Sequence, residues 1–513
     1  MRILLIRQTT IYSYSEMGNG IGIIGTILSH GGHEVRIIDN NSLYKKYSNN
    51  KFCKIIRSFK PDVVAFGITI YNTLETYNLV HKIKVSFPDI ILVAGGIHMK
   101  FSFEEALRNG FDVVVNREGE KVVLPLFEHL ETRIKTNFRE GLSLIPGISY
   151  LQEEGTVFVS NEHPVLDDLD KVPMINYNLI NIRDYWKTHK EPGFIYIIGQ
   201  RGCPYRCNFC SDDLQRNDKR AASAEYLFQN VKCLYDKFGF NYISICDNNF
   251  MYPRQRAVDF CYKIIQSGMN KQISFSCQTK IDSSLDDELL CLMKEAGFSK
   301  IRLGLERLDQ YSTKMIKKPS SLKRVHNTLS LIKKHEIEIG IFMLLGFPFE
   351  TVGLLEKERD AFKSLMKYTH NFICSILQPT PGTLYYDNYP KANEWYLKLH
   401  TFLIRRAYFA NVLDTYMIGQ IDPSFFDLPD KVKKKIKDIY LEYKRINYGN
   451  FGFVSKRTLF LLMMLKLDLF LARISQLFFS ISPSLEYWIF RKVSFLRYYF
   501  GTLFFGKIKH SIR

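Results

Sequence analysis

The chain has 513 residues, 46% apolar and 24% charged, a globular composition with room for two or three domains around a large buried core. Ten cysteines at this length exclude a disulfide scaffold, and no run of 18 or more apolar residues is present to cross a bilayer as a helix. The net charge of +18 would suit nucleic acid or an anionic membrane, yet nearly half of it lies in residues 450–513, where ten Lys and Arg face two acids for a net of +8.

The opening Met1-Arg-Ile-Leu-Leu-Ile-Arg7 holds a four-residue apolar run without a small-residue cleavage site, so it reads as a strand and not a secretory signal. Cys53, Cys233, Cys246, Cys261, Cys277, Cys291 and Cys374 are scattered without repeating spacing and read as core thiols of a reducing compartment, which points to the cytoplasm.

Through residues 1–135 apolar strands predicted at 3–6, 35–39, 63–69, 90–94 and 113–115 alternate with helical stretches near 22–30 and 74–86. That alternation gives an α/β domain with a Rossmann-like, doubly wound parallel sheet, whose ligands sit beyond the carboxyl ends of the strands. The loops there are 7–14, 69–73, Gly95-Gly-Ile-His98 and Arg117-Glu-Gly-Glu120. Gly95, Gly96 and Gly119 permit a bulky ligand to approach the backbone, or form tight turns. Residues 136–190, broken by Pro146, Gly147, Pro164, Pro173 and Asp167-Asp-Leu-Asp170, read as a linker. Within it, 148–151 and 156–159 are expected to form a hairpin around Glu154-Gly155.

From 191 to 395 six strands, at 194–199, 242–246, 273–278, 301–306, 337–345 and 372–378, alternate with helical patterns and make a partial (β/α)6 barrel. Polar residues gather at their carboxyl ends, where barrels keep their chemistry: Asp247-Asn-Asn249, Gln278-Thr-Lys280, Glu306 and Gln378. After the first strand comes Arg201-Gly-Cys-Pro-Tyr-Arg-Cys-Asn-Phe-Cys210. Cys203, Cys207 and Cys210 offer three soft thiolates from one loop, suited to iron–sulfur or zinc. No second CxxC or His pair is present around the loop to finish a zinc tetrahedron, although a zinc site completed from far away is the alternative. Three ligands on a four-iron cube leave one iron open for chemistry.

Residues 396–513 read as a helical extension in which apolar and aromatic runs are interleaved with Arg and Lys. Such a segment caps the open side of the barrel, lies on an anionic membrane, or does both.

Read as Cx3CxΦC with Phe209 as the aromatic, and with the strand before it, the cysteine loop resembles the signature of the radical S-adenosylmethionine (SAM) superfamily. In the same way Gly95-Gly96, Gly32-His-Glu-Val-Arg-Ile-Ile-Asp39 and Glu118-Gly-Glu120 resemble the cobalamin-binding domain that precedes the SAM domain in one class of that family. Further along, Cys246-Asp-Asn-Asn-Phe250 resembles that class's Asp-Asp-Asn-Phe, and Leu303-Gly-Leu-Glu-Arg307 its Gly-x-Glu-Ser with Arg307 in place of Ser. Gly346-Phe-Pro-Phe-Glu-Thr351 and Pro379-Thr-Pro-Gly-Thr383 resemble the family's Gly-Leu-Pro-Gly-Glu-Thr and Pro-x-Pro-Gly-Thr turns.

The resemblance implies a [4Fe-4S] cluster on Cys203, Cys207 and Cys210 whose open iron chelates SAM and whose electron cleaves it to a 5′-deoxyadenosyl radical. It implies SAM contacts from Phe209, Asp247, Gln278, Gly304 and Glu306, and cobalamin contacts from Thr69, Tyr71, Gly95, Gly96, His98, Glu118 and Gly119. Asp247 would hold a hydroxyl or cap the next helix; Glu306 would take SAM's ammonium or ribose, or pair with Arg302 or Arg307. Members with a histidine lower ligand carry Asp-x-His-x-x-Gly in the first loop, which here reads Arg7-Gln-Thr-Thr-Ile-Tyr12. That implies cobalamin bound without protein ligation, with His98 as a fallback, or a domain that has lost it.

The expected activity is radical methylation of an unactivated carbon in a hydrophobic or natural-product small molecule, fed by a flavodoxin- or ferredoxin-type electron donor. The alternatives are a radical cyclase or rearrangement enzyme without cobalamin, a tRNA methylthiotransferase, and a sensor without turnover. Against nucleic acid, residues 1–190 contain only Cys53 where the methylthiotransferases carry extra cluster cysteines.

Overall fold

The computed structural model describes residues 1–8, 17–41, 47–133, 137–182, 185, 194–211, 219–281, 285–388, 426 and 428–449. The N-terminal sheet runs β2 (Glu34–Asp39), β1 (Arg2–Arg7), β3 (Val63–Gly67), β4 (Ile91–Gly95), β5 (Val113–Val115), β6 (Ile148–Leu151), β7 (Val157–Val159). The first five strands are parallel; β1, β3, β4 and β5 are nearly continuous in apolar residues, as strands covered on both faces are, while β2 is an edge strand that carries Glu34, Arg36 and Asp39. Helices α1 (Asn19–His30), α2 (Asn49–Phe59), α3 (Thr73–Ser86), α4 (Met99–Arg108) and α5 (Val123–Arg133) supply the cover.

The predicted hairpin forms, but as part of this sheet and not as a feature of a linker. β6 pairs antiparallel with β5, Val114 opposite Ser149, so the edge of β5 is covered and the N-terminal unit extends through Val159. Helix α2 was not among the predicted elements. Its signals are local: the Ser48 hydroxyl accepts from the Lys51 N–H at 3.4 Å, Phe52, Cys53, Ile55 and Ile56 turn inward, and Lys60 ends it in the left-handed region.

The connector is packed against the first domain rather than free. Ile175 and Ile180 lie where a side chain at Gly22 of α1 would stand, and the Asn176 N–H donates to Thr26 Oγ1 at 2.8 Å.

The second sheet has six parallel strands in the order β15 (Phe372–Ile376), β14 (Glu338–Leu345), β13 (Phe298–Glu306), β12 (Ser274–Thr279), β11 (Tyr242–Ile245), β8 (Phe194–Ile197). A two-residue ladder of β9 (Gln200–Arg201) and β10 (Arg220–Ala221) stands beside it. The helices between the strands begin on side-chain caps: Ser223 for α6 (Ala224–Phe238), Asp286 for α8 (Asp287–Glu295), Asp309 for α9 (Gln310–Met315), Ser321 for α10 (Leu322–Lys334) and Thr351 for α11 (Val352–Lys363). Between α6 and α8, α7 (Arg254–Gln266) follows β11. The core between strands and helices is rich in Phe, with Phe250, Phe260, Phe275 and Phe298 in mutual contact.

After α12 (Leu384–Asp387), the helix α13 (Asp430–Gly449) lies against β15 and α11. Its Tyr443 packs on Phe362 and Phe372 and donates its hydroxyl to the Arg359 carbonyl at 3.0 Å. This part of the expected C-terminal extension caps the barrel beyond its last strand. The basic, aromatic residues 450–513 lie outside the described residues. Among the described residues no helix is long and apolar enough to cross a membrane.

Candidate active site

The cysteine loop follows β9 and is held at several points. The Cys210 N–H donates to the Cys207 carbonyl at 3.1 Å, and Asn208 anchors to the end of α9 through its N–H to Ile316 (3.3 Å) and its side chain to Met315 (2.7 Å). Phe209 meets Phe347 edge-on, ring centres 6.0 Å apart, and Phe347 stacks on Phe349 at 5.2 Å. The Gly346–Thr351 turn is thus the wall on which the loop's aromatic rests.

Cys207 is buried, Cys203 and Cys210 half-buried. Burial pushes the Cys207 thiol up, and the ammonium groups of Lys318 and Lys280 pull it down. Among the described residues no three His, Cys, Asp or Glu side chains are grouped to hold a single metal ion. Three soft thiols on one anchored loop are a donor set suited to an iron–sulfur cluster that keeps one iron open.

Two lysines stand at the rim: Lys280, read from sequence among the polar residues at the strand ends, and Lys318, which was not legible as a site residue. Lys280 Nζ stands 3.8 Å from the Tyr205 ring centre, and Lys318 Nζ lies 5.9 Å from that of Phe209 and 3.2 Å from Glu306 Oε1. Glu306 therefore pairs with Lys318, not with Arg302 or Arg307 as considered from sequence. It sits at a register shift of β13 with φ of 62°, a strained conformation for a residue with a Cβ. Gly304 leaves the room: a Cβ there would stand 2.7 Å from Lys318 Nζ and 3.2 Å from Glu306 Oε1. Gln278 is half-buried beside them at the end of β12, its carbonyl accepting the Phe250 N–H at 3.1 Å.

Asp247 does not present itself to a ligand. It is 0% exposed, one oxygen accepts the Gly199 N–H at 2.6 Å and the other pairs with Arg256 of α7. Arg256 in turn donates to the Gly199 carbonyl at 2.9 Å, so the pair fixes the turn after β8 from within. Both expected roles, hydroxyl binding and helix capping, give way to this one, because both carboxylate oxygens are already used.

Arg307 is buried behind the wall. Its Nη1 lies 2.6 Å from Glu350 and its Nε 3.1 Å from Glu358, with the guanidinium 5.7 Å from the Phe347 ring centre. The departure from Gly-x-Glu-Ser thus serves the turn that carries Glu350.

In the N-terminal sheet the expected residues do gather at the carboxyl ends of β3, β4 and β5, but in different roles. Asn72, fully buried, accepts the Thr69 N–H at 2.8 Å and ties the loop to the Gly67 carbonyl. Gly96 has φ of 104°, and a Cβ there would stand 2.4 Å from the Ile68 carbonyl; at Gly119 a Cβ would press on Ile24 at 2.9 Å. Gly96 is demanded by the chain's own backbone, whereas at Gly119 the tip of the Ile24 side chain can give way.

Gly95 and Gly67 differ. They pair across β4 and β3, and a Cβ at either would meet nothing nearer than 3.9 Å. Packing does not require glycine there, since a Cβ would find only ordinary contact, and the two glycines form a bare shelf at the strand ends. His98, 6% exposed, begins α4 with Nε2 3.9 Å from Glu105. Glu118 faces the other domain, paired with Arg201 and Arg220. Tyr71 also crosses: its hydroxyl lies 3.3 Å from Gln378 Oε1, at the end of the last barrel strand. The carboxyl ends of the two sheets thus face each other across these contacts.

Residues 14–126 match the B12 binding domain model and residues 197–358 the radical SAM superfamily model. The chain is 27% identical over 437 residues to an uncharacterized methyltransferase of Pyrococcus horikoshii, covering 83% of this chain and 89% of that one. It is 24% identical over 453 residues to the anaerobic magnesium-protoporphyrin IX monomethyl ester cyclase of Cereibacter sphaeroides, covering 79% and 72%. Among solved structures its fold is similar to the cobalamin-dependent SAM radical enzyme OxsB with aqua-cobalamin and SAM bound (TM-score 0.61, 19% identity), covering 77% of this chain but only 56% of that one. It is also similar to the radical SAM methyltransferase TsrM from Kitasatospora setae with cobalamin and a [4Fe-4S] cluster bound (TM-score 0.61, 18% identity, 74% and 76% covered).

Proposed function

The chain belongs to the radical SAM superfamily and carries a B12-binding domain ahead of its radical SAM domain, and from that premise we propose that it methylates an unactivated carbon of a small, hydrophobic or natural-product substrate. The observation that carries the proposal is the facing of the two sheets' carboxyl ends: the cysteine loop, the Glu306–Lys318 pair and the Gly67–Gly95 shelf all lie at strand ends that meet through Tyr71 and Gln378. When bound, the cluster supplies the single electron that cleaves SAM reductively and cobalamin supplies methyl carriage, chemistry that no side-chain acid or base performs.

The residues supply position. Cys203, Cys207 and Cys210 hold the cluster; Phe209 and Gln278 flank SAM, Glu306 accepts its ammonium, and Gly304 keeps that end open. Thr69, Tyr71 and the glycine shelf receive cobalamin without a lower-ligand histidine, since His98 is turned to Glu105. The Phe209–Phe347–Phe349 wall keeps water from the radical. The similarity to the cyclase favours one second reading, radical cyclisation or rearrangement of a hydrophobic substrate at the same strand ends. A flavodoxin- or ferredoxin-type donor and a cytoplasmic site of action, with peripheral contact to anionic membrane through residues 450–513, complete the proposal.

Incubation of the reconstituted protein with SAM and dithionite tests it. We expect 5′-deoxyadenosine together with S-adenosylhomocysteine, and no 5′-deoxyadenosine from Cys207→Ala. No nucleoside product despite an intact cluster would overturn radical initiation; 5′-deoxyadenosine without S-adenosylhomocysteine would leave the second reading.

A further inference from the structure

Glu118 and Glu120 meet the base of the cysteine loop. Glu118 Oε2 lies 2.7 Å from Arg201 Nη1, and Arg220 approaches both Glu118 oxygens, at 2.5 Å through Nη2 and 3.2 Å through Nη1. Glu120 pairs with Arg201, and Arg220 also donates to the Leu166 carbonyl. The four side chains are only 8% to 22% exposed.

Arg201 and Arg220 are direct cross-strand partners in the β9–β10 ladder, which closes the loop that bears the three cysteines. Like charges directly opposite in an antiparallel pair repel, and partial burial strengthens the repulsion. The ladder is two residues long and is extended by the Ala222 N–H, which donates to the Gly199 carbonyl at 2.8 Å. The anion that makes this pairing tolerable stands between the guanidiniums, yet it comes from the loop after β5 of the N-terminal sheet. Both carboxylates stand against the two guanidiniums, and loss of either takes an anion away from this like-charged pair.

We propose that Glu118 and Glu120 form a docking socket that couples the seating of the N-terminal domain to closure of the cluster loop, with Arg201 and Arg220 as positioning residues. The Glu-Gly-Glu segment then acts on the distance between the two cofactors rather than as a cobalamin contact. The inference rests on the proposed function in so far as the loop holds a cluster.

The test compares Glu118→Gln, Arg220→Gln and the double variant. On reconstituted protein without oxygen, iron release to a ferrous chelator is timed and cobalt per chain is measured; on the cofactor-free chain, the same cycle is read as melting temperature. Glu118→Gln alone should release iron about tenfold faster, the equivalent of about 1.4 kcal/mol. The double variant should return to within about twofold of the unaltered protein, because one guanidinium fewer needs no anion, and cobalt content should hold throughout. The melting temperatures should show the same non-additivity.

Additive losses in both readouts would overturn the socket. So would a Glu118→Gln protein that loses cobalt while keeping its iron, which would make the residue a cobalamin contact. Iron that never loads into the unaltered protein would strike the proposed function, while the melting cycle would still decide the socket.

Discussion

Arg307→Ser restores the residue usual in the family's motif, and it should be strongly destabilising here. The guanidinium is fully buried between two carboxylates that are fully buried themselves, Glu350 at 2.6 Å and Glu358 at 3.1 Å. Removing it leaves two anions facing each other without a cation, and breaking a buried pair in this way costs about 3–5 kcal/mol. At about 2–4 °C per kcal/mol for a unit of this size, the melting temperature should fall by roughly 6–20 °C. Thermal unfolding of the cofactor-free chain, followed by circular dichroism at one fixed scan rate, reads the change.

The loss should also depend on pH. Burial already holds Glu350 above the usual carboxylate range, with Arg307 pulling it back. Without Arg307 it rises further, and a carboxylate raised in the folded state contributes stability at low pH that is lost as pH rises through its folded pKa. The deficit should therefore be smaller near about pH 5.5 than near about pH 8, and Glu350→Gln in the same chain should recover part of it. A deficit below about 1 kcal/mol, or one that shrinks as pH rises, would refute the account of this triad.

Three further outcomes are expected. Glu306→Gln should weaken SAM binding to the reconstituted protein by about tenfold in equilibrium dialysis, and Gly304→Ala should do the same to a lesser degree by crowding the Glu306 carboxylate; unchanged binding in both would detach Glu306 from SAM. Gly95→Val should lower cobalamin content while changing the stability of the cofactor-free chain by less than about 0.5 kcal/mol, whereas Gly96→Ala should destabilise it, since its Cβ would collide with the Ile68 carbonyl; retained cobalamin in Gly95→Val would remove the shelf. Deleting residues 450–513 should release the protein from anionic vesicles in a flotation assay without unfolding the barrel, and unfolding would mark the segment as part of the cap.

The strands of both sheets were legible because each is a short apolar run set off by helical periodicity, and the cysteine loop because its chemistry is local. What could not be read is pairing between distant residues. Nothing in the spacing shows that β5 takes the 148–151 strand as its neighbour, or that Glu118 meets Arg201 and Arg220 about a hundred residues later. Asp247 looked like a ligand-binding acid because it ends a barrel strand, but Arg256, nine residues on, had already taken it. Arg307 reads in the sequence only as a departure from Gly-x-Glu-Ser and is a buried cation with two partners more than forty residues away. The glycines divide in the same way: only the structure separates Gly96, which the backbone needs, from Gly95, which it does not.

The central claim is that the facing carboxyl ends of the two sheets serve two cofactors, and the most direct test is the metal content of protein made and purified without oxygen in cells supplied with cobalamin. The account predicts about one cobalt and about four cluster irons per chain, with a cobalamin absorbance spectrum. Iron without cobalt would contradict it and would leave the Gly67–Gly95 shelf to the substrate.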